Sequence, residues 1–305
     1  MSFGVMFHHF HDNNHRKTQG SISGKQFLKI INFLKKKYNL INAKEFLNKL
    51  NEKKIDNKDV CLTFDDSLKC QIDVAFPILK KKKIQAFFFL YTNAFTSNPS
   101  KLEIFRDFRT TCYKKIDFFY KDFFLIFKNK YKKKFKYFEK NFDKKYLIKY
   151  PFYTINDKKF RFSRDKVLSV KSYESLMQQL MLKKKYNYAN AKKKLLMSTE
   201  DVKKLIKNNQ IIGLHSHSHL GDMSQLNYRK QLIDYKKNIS FIKEKFKLTP
   251  NSMSHPFGRY NFNTLRILKA NGIKIGFLSH LNKGKIQSNL EIPRLDHMYI
   301  GNKIL

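Results

Sequence analysis

The chain contains no tryptophan, only 3 cysteines and only 24 acidic residues against 63 basic ones. Cys61, Cys70 and Cys112 form neither a C-x-x-C pair nor an even set, which argues against a disulfide or cysteine–zinc framework. No apolar run is long enough for a membrane-spanning helix, because lysines interrupt the phenylalanine-rich segments. The N-terminus lacks the basic start and apolar stretch of a signal peptide, so we expect a cytoplasmic protein.

The shortage of acidic residues leaves a formal net charge of +39. A charge of this size is typical of proteins that bind nucleic acid, an anionic membrane or an anionic substrate. The lysines are spread along the whole chain rather than gathered in one tail, so a solvated lysine-rich surface explains them as well. We therefore expect no specific nucleic-acid partner, and we keep peripheral contact with an anionic membrane as an alternative. The sequence does not predict an oligomeric state.

Short apolar segments alternate with longer amphipathic stretches, which is typical of βα repeats around a mostly parallel sheet. A length of 305 residues suits either one α/β barrel or two ordinary domains. We predict strands at 4–8, 60–64, 86–91, 211–214, 251–255 and 273–278. We predict helices at 24–38, 199–208, 225–246 and 263–270, the second of them opened by a capping box that begins at Ser198.

The segment from about residue 99 to residue 197 differs in texture, because it is rich in Lys, Phe and Tyr. We predict that it is a largely helical insertion, with weak strand signals around Pro151–Phe162. Its aromatic residues would either pack in a core or stack on sugars or bases. A lid over the substrate and a subunit interface are the two functions that its length and aromatic content suggest.

All ten histidines lie at or before residue 15 or from residue 215 onward. His215 and His219 are four positions apart, so they share one side of the chain in a helical turn or in an extended segment. His217 would join them only if the segment is extended. Neutral imidazoles bind zinc and similar metals, and an aspartate is a natural third ligand that leaves one coordination position open for water.

Asp65 and Asp66 directly follow the predicted strand at 60–64. Adjacent carboxylates repel each other unless a cation or a difference in role separates them. If one binds a metal and the other faces the bound water, the site combines a Lewis acid with a general base. The alternative is a pair of carboxylates that cap the turn ending in Ser67. The two histidines favour the metal interpretation.

Three segments resemble the first three motifs of the polysaccharide deacetylase family, also called the NodB-homology or carbohydrate esterase 4 family: Thr63–Asp66, His215–His219 and Pro256–Gly258. The early Phe7-His8-His9 and the segment Phe76–Lys80 also follow the order of the family. The resemblance covers roughly residues 3–95 and 198–300. It implies an α/β fold, a distorted (β/α) barrel of the NodB-homology type, with residues 1–305 as one catalytic domain that carries the helical insertion.

The resemblance also implies roles for the motif residues. Asp65 would be the general base, and a divalent metal would be bound by Asp66, His215 and His219. Zinc is the expected metal, with cobalt, nickel and manganese as alternatives. The family's usual glycine after the second aspartate is Ser67 in this chain.

The remaining roles rest on residues near the C-terminus. Phe257 would stabilise the oxyanion through its backbone N–H, with His255 beside the substrate. The family's tryptophan-containing fourth motif is absent, and the resemblance implies that Arg294 contacts Asp65 in its place. His297 is our choice for the general acid, with His280 and His255 as alternatives.

The function that the resemblance implies is hydrolysis of a carbon–nitrogen bond that removes the N-acetyl group from an amino sugar. We expect an intracellular precursor of a surface polysaccharide, a nucleotide sugar or a lipid-linked sugar as the acetylated substrate. The alternatives are an O-acetyl esterase or a non-sugar amidase that uses the same site. A non-catalytic, basic protein that binds nucleic acid or membrane is a further alternative.

Overall fold

A computed structural model describes residues 2–148, 153–281 and 288–304 of the chain. The chain divides into two compact units. One, here called the barrel unit, comprises Met1–Ser100 and Lys193–Leu305, and the other, the helical unit, comprises Lys101–Lys192. No helix among the described residues combines the length and the apolar character needed to cross a membrane.

The N-terminal part of the barrel unit alternates strands and helices. In chain order these are β1 (Phe3–Phe7), β2 (Phe10–His11), β3 (Ile22–Ser23), α1 (Gly24–Lys37), β4 (Asn39–Leu40), α2 (Ala43–Asn51), β5 (Asp59–Phe64), α3 (Phe76–Lys81) and β6 (Phe87–Leu90).

The helical unit is built from helices with an aromatic core. They are α4 (Leu102–Thr111), α5 (Ile116–Lys130), α6 (Lys132–Asn141), α7 (Ile155–Phe162), α8 (Val170–Lys183) and α9 (Tyr188–Leu195), of which the last extends into the barrel unit. Phe119, Phe123 and Phe160 are buried and pack edge to face. The aromatic residues of this unit therefore stabilise a core of their own.

One strand prediction in this segment is wrong. Residues 155–162 form α7 instead of a strand, because Thr154 and Asp157 make a reciprocal capping box that starts a helix. Positions 151 and 152 of the predicted strand lie outside the described residues.

The chain then returns to the barrel unit. The elements are α10 (Thr199–Lys207), β7 (Ile211–Leu214), α11 (Tyr228–Phe246), β8 (Ser252–Ser254), α12 (Phe262–Ala270), β9 (Ile275–Phe277), β10 (Arg294–Asp296) and α13 (His297–Ile304). The predicted strands and helices of this unit all exist, and their ends differ from the predictions by at most three residues.

The main sheet of the barrel unit has eight strands in the order β10-β1-β5-β6-β7-β8-β9, with β4 paired to β5. Its paired strands run parallel. A parallel bridge between Phe277 and Ile292 joins β9 to the chain just before β10, so the sheet forms a nearly closed barrel. The prediction of a mostly parallel α/β barrel is confirmed.

Alternation along β5 decides which side chains face the barrel interior. Val60, Leu62 and Phe64 belong to the core between the sheet and the surrounding helices. Cys61 belongs to a second core cluster that includes residues of β6, β9 and α2. Side chains of a strand alternate between its two faces, so Asp65, just beyond β5, continues the inner face at the carboxyl end of the strand.

Candidate active site

Three side chains meet at the carboxyl ends of β5 and β7. The Nε2 atoms of His215 and His219 lie 3.2 and 3.0 Å from Oδ1 of Asp66. All three residues are buried. One ligand atom from each lies within 4.8 Å of the other two, and together they form a group that could hold a metal ion.

The loop 215–219 is neither a helical turn nor an extended segment. Ser216 and His219 both have left-handed backbone conformations, with φ of 60° and 51°. The Ser216 hydroxyl accepts a hydrogen bond from the N–H of His219 at 2.9 Å. These two turns bring His219 back beside His215, with their ring centroids 5.0 Å apart.

The same loop turns His217 away from the ligand group. Its Nδ1 lies 2.9 Å from the hydroxyl of Thr92. Asp234 of α11 holds this part of the loop, because its carboxylate accepts hydrogen bonds from the N–H groups of His217 (2.7 Å) and Ser218 (3.1 Å). The His217 imidazole therefore lies outside the ligand group, and it is the backbone of His217 that Asp234 holds.

Asp65 forms a two-point ion pair with Arg294 inside the barrel. The two terminal nitrogens of the guanidinium donate to the two carboxylate oxygens at 2.8 and 2.7 Å. Both residues are almost completely buried, with 2% and 1% of their surfaces exposed. Two parallel charge-assisted bonds fix the plane of the carboxylate as well as its charge.

The surroundings keep both aspartates ionised. Burial alone would raise the pKa of Asp65, but the charge and hydrogen bonds of Arg294, together with the charges of His215 and His8, outweigh it and lower that pKa. Burial also opposes the ionisation of Asp66, but His219 and His215 hold its pKa well below the usual range. Burial disfavours the charged form of His215, yet the two carboxylates outweigh it and raise its pKa.

Three observations indicate that the ligand group fits a divalent metal. Oδ1 of Asp66 is buried and has no hydrogen-bond partner among the described residues, although two imidazole nitrogens lie near it. Ligands about 2.0–2.1 Å from one ion lie roughly 3 Å apart, as Oδ1 of Asp66 and each of the two Nε2 atoms do. The backbone carbonyl of Ser254 also lies 2.9 Å from Nδ1 of His215, which leaves Nε2 available as a ligand.

His8 is a residue of the site to which we assigned no role from the sequence. Its Nε2 lies 3.9 Å from Oδ2 of Asp65 and 3.8 Å from Oδ2 of Asp66. The register of β1 and β5 pairs Phe7 with Phe64, so the residues that follow, His8 and Asp65, emerge side by side. The position of Phe7-His8-His9 in the order of the family motifs was a signal in the sequence. Only the strand pairing shows that His8 faces Asp65 and Asp66.

The structure does not bring His297 to the ligand group. Its ring is buried, and its Nδ1 and Nε2 each lie 3.1 Å from a backbone carbonyl oxygen, of Met6 and of Gly20. Burial lowers its pKa, against the charge of Asp296. Because both ring nitrogens already face backbone acceptors, this geometry does not suit the general acid that we predicted.

His255 is also turned into the protein rather than toward a substrate. It is 0% exposed, its Nε2 lies 2.8 Å from the carbonyl of Leu290, and its ring stacks on Tyr260 with centroids 4.3 Å apart. The predicted contact of His255 with substrate is therefore not available in this conformation. Among the other late residues, His280 contacts Arg294 through its backbone, since its carbonyl accepts from the N–H of Arg294 at 3.1 Å.

Phe257 lies beside the ligand group. Its side chain is 48% exposed, and its ring centroid is 5.0 Å from that of His219. Its backbone is left-handed, with φ of 55°. Tyr91, whose centroid is 5.1 Å from that of His219, contacts the same ring. The two aromatic rings give His219 a largely apolar surrounding.

The carboxylate–imidazole group lies at the carboxyl ends of the barrel strands, which is where barrel enzymes carry their active sites. The family model "Polysaccharide deacetylase" matches residues 52–108 and 169–276, which is more than half of the chain. The chain therefore belongs to the polysaccharide deacetylase family, as the motifs predicted. Membership confirms the predicted enzyme class, a carbohydrate deacetylase, and the family is generally metal-dependent.

Solved structures with the same fold are distant in sequence. The deacetylase PplD of Streptococcus pyogenes, solved with acetate, is 14% identical, with a TM-score of 0.56 over 99% of this chain and 97% of that chain. IcaB from Ammonifex degensii is 15% identical, with a TM-score of 0.59 over 97% and 91%. A de-N-acetylase from Aggregatibacter actinomycetemcomitans is 15% identical, with a TM-score of 0.55 over 96% and 94%.

These likenesses extend over nearly the whole length of each chain and show the NodB-type barrel fold. Among curated proteins, no sequence matches the chain.

Proposed function

We propose that the protein is a metal-dependent hydrolase that removes N-acetyl groups from an amino sugar. The observation that carries the proposal is the division of roles between two adjacent carboxylates. Asp66 belongs to the ligand group with His215 and His219, whereas Asp65 lies outside it and is paired with Arg294. An oriented carboxylate that lies beside a metal site without being a ligand can act as general base in the hydrolysis of an amide by water.

Asp66, His215 and His219 would hold the metal, for which zinc is our choice because imidazole and carboxylate ligands suit it. A divalent ion in this position supplies a Lewis acid that polarises the amide carbonyl and makes water more acidic. Asp65 would take the proton from the attacking water. Its low pKa keeps it ionised at neutral pH, and the Arg294 pair holds its plane in place.

His8 would donate the proton that the leaving amine nitrogen needs. Its ring is 26% exposed, unlike the buried His297, and it lies near both carboxylates of the pair. The backbone N–H at Phe257 would stabilise the oxyanion that develops on the amide oxygen. Water and the N-acetyl sugar would thus give acetate and the free amine.

The substrate class stays a prediction. A sugar that carries a nucleotide or lipid phosphate, or a precursor of a surface polysaccharide, would suit the excess of lysine on this chain. The residues of the site do not distinguish N-acetyl from O-acetyl groups, so the substrate panel must include both.

The test combines metal analysis with acetate release from a panel of N-acetylated sugars, nucleotide sugars and O-acetylated sugars. Wild type should bind about one zinc per chain, as expected for a three-ligand site, and release acetate. Asp65→Asn should keep the metal and lose activity, whereas His215→Ala should lose both. His217→Ala is the matched control, because it removes an imidazole from the same loop but outside the ligand group. Acetate release by Asp65→Asn at the wild-type rate would contradict the mechanism.

A second pair of variants tests the proton donor. His8→Gln should lower kcat by about 10²-fold or more, the usual contribution of a general acid, while zinc affinity is kept. His297→Gln should lower kcat much less. The opposite ranking would return the role to His297.

A further inference from the structure

Ser254, the last residue of β8, contacts both halves of the site. Its hydroxyl oxygen lies 3.1 Å from Oδ2 of Asp65 and 2.7 Å from a terminal nitrogen of Arg294. Its backbone carbonyl lies 2.9 Å from Nδ1 of His215. The side chain of Ser254 is thus bonded to the proposed base, and its backbone is bonded to a proposed metal ligand.

The direction of each hydrogen bond follows from the chemistry of the groups. A guanidinium nitrogen can only donate, so the Ser254 oxygen accepts from Arg294. The single hydroxyl hydrogen is then left for Asp65, which as a carboxylate can only accept. The Ser254 hydroxyl therefore accepts from Arg294 and donates to Asp65, and the reverse orientation of the hydroxyl is excluded.

The guanidinium of Arg294 has an acceptor for each of its N–H groups. Its five donors match five contacts, to both oxygens of Asp65, the hydroxyls of Thr63 and Ser254, and the carbonyl of Leu278. Arg294 is 1% exposed and Ser254 is 0% exposed, so water has little access to this network. Loss of the Ser254 hydroxyl would leave one of these buried donors without a partner and would remove one bond from Asp65.

We propose that Ser254 is a positioning residue that holds Asp65 in its catalytic orientation through its hydroxyl. This inference rests on the proposed function, because it assigns Asp65 as the base. The backbone carbonyl of Ser254 serves His215 separately, and it remains in any side-chain variant. The hydroxyl therefore affects proton transfer by Asp65 and does not affect metal binding by His215.

The chain offers a matched control on the same strand. Ser252 is two residues earlier on β8 and is likewise 0% exposed. Within the described residues its hydroxyl oxygen has no hydrogen-bond partner. Ser252→Ala thus removes the same group from the same buried strand, but it breaks no hydrogen bond.

The experiment measures kcat, KM, zinc affinity and thermal stability for the wild type, Ser254→Ala and Ser252→Ala. For Ser254→Ala we expect kcat to fall about 10-fold to 100-fold, with KM and zinc affinity within about twofold of wild type, as for loss of an outer hydrogen bond that acts on the chemical step. Ser252→Ala should leave kcat, KM and zinc affinity within about twofold of the wild-type values, because no hydrogen bond is lost. Ser254→Cys, with a weak S–H donor, should also lower kcat, and it replaces Ser254→Ala if that variant does not fold.

Wild-type kcat in a folded Ser254 variant would overturn the proposal. A fall in kcat that is matched by an equal loss of zinc affinity would overturn it as well, because the effect would then act through His215. If the zinc-loaded wild type releases no acetate from any substrate, the proposed function itself fails, and the role of Ser254 fails with it. An active wild type beside an unaffected Ser254→Ala would reject only the positioning role.

Discussion

Asp65 and Asp66 are neighbours in the chain, but they have different electrostatic partners. Asp65 faces the guanidinium of Arg294, whereas Asp66 faces the imidazoles of His215 and His219. The backbone separates them, because Asp66 and Ser67 adopt left-handed conformations with φ of 76° and 53°. A left-handed residue at the position of Ser67 also explains why glycine is usual there in the family, since glycine adopts this conformation without steric cost.

The buried ring of His255 predicts a dependence of stability on pH. Burial lowers its pKa from 6.5 to about 4. The unfolded chain thus takes up a proton on this residue near pH 6.5, whereas the folded chain does so only near pH 4. The stability that neutral His255 contributes above pH 6.5 is therefore lost progressively as the pH falls toward 4.

For the metal-free protein, we expect the free energy of unfolding of wild type relative to His255→Gln to fall by about 2 kcal/mol between pH 7 and pH 5. Urea unfolding at the two pH values measures the difference, and titrations common to both proteins cancel in it. A difference that stays constant with pH would show that His255 titrates normally in the folded protein.

The carboxylate of Asp234 supports the loop 215–219, and the variant Asp234→Asn tests how strongly zinc binding depends on this support. Asn in place of Asp234 keeps one carbonyl oxygen, but its amide group would face one of the two N–H donors of the loop. We expect Asp234→Asn to weaken zinc binding by about 10-fold or more, measured by competition with a chromophoric chelator. Asp12→Asn is the control, because Asp12 also accepts from two backbone N–H groups but supports a different loop. Equal zinc affinities in the two variants would show that the ligand loop does not need Asp234.

At the scale of single residues, the sequence predicted the ligand group but gave His8 no role. The types and spacing of His215 and His219 are characteristic of a metal site, and the family resemblance pointed to Asp66 as the third ligand. His297 was chosen as the general acid, and nothing local in the sequence sets it apart from His8, because both are histidines near the ends of strands. Their difference is which atoms surround them, and this depends on the pairing of β1 with β5 and on the burial of α13.

At the scale of elements, the strands of the barrel were predictable because they are short, apolar and separated by amphipathic helices. The strand β7 was predicted at its observed bounds, Ile211–Leu214. The loop that follows was not predictable, since its path depends on left-handed turns at Ser216 and His219. Such turns are stabilised by hydrogen bonds that the side chains of Ser216 and Asp234 accept from backbone N–H groups, and these bonds leave no periodic pattern in the sequence.

The capping box of α10 is an element-scale prediction that the structure confirms. Ser198 accepts from the N–H of Asp201, and the carboxylate of Asp201 accepts from the N–H of Ser198. We expect Ser198→Ala to lower the free energy of unfolding by about 1 kcal/mol without changing zinc affinity. Thr199→Ala is the control and should change stability by about 0.5 kcal/mol or less, because within the described part of the chain the Thr199 hydroxyl bonds only to Glu200. Equal losses in the two variants would show that the cap adds nothing.

At the scale of the whole molecule, the metal group and its supports belong to one of the two compact units. These residues come from four distant parts of the chain, at Asp65-Asp66, His215, Ser254 and Arg294, yet all of them lie in the barrel unit. The helical unit, Lys101–Lys192, has its own buried aromatic residues. A role for it as a lid or as a subunit interface stays a prediction.

This division predicts where zinc will stabilise the chain. A ligand that binds only the folded state stabilises the cooperative unit to which it binds, by about 2.7 kcal/mol when it is present at 100 times its Kd. We expect zinc to slow amide hydrogen exchange in the barrel unit and to leave exchange in the helical unit unchanged. Mass spectrometry of peptides from both units, with and without zinc, measures this. The variant His215→Ala should show no effect of zinc in either unit, and slower exchange in the helical unit of wild type would show that the two unfold as one.

The sequence by itself determined the fold class and the family, because apolar periodicity and a few fixed spacings survive when little else of a sequence is shared. It also predicted the ligand set, whose three residues the structure brings together. Only the tertiary structure shows that Asp66 meets His215 and His219 while Asp65 pairs with Arg294, as the resemblance implied, and that the Ser254 hydroxyl contacts both Asp65 and Arg294. It also decided that His8 rather than His297 lies beside the carboxylates. The physical reason is that these relations join residues up to 229 positions apart through a nearly closed sheet. Such contacts depend on strand order and register, which no local pattern of residues encodes.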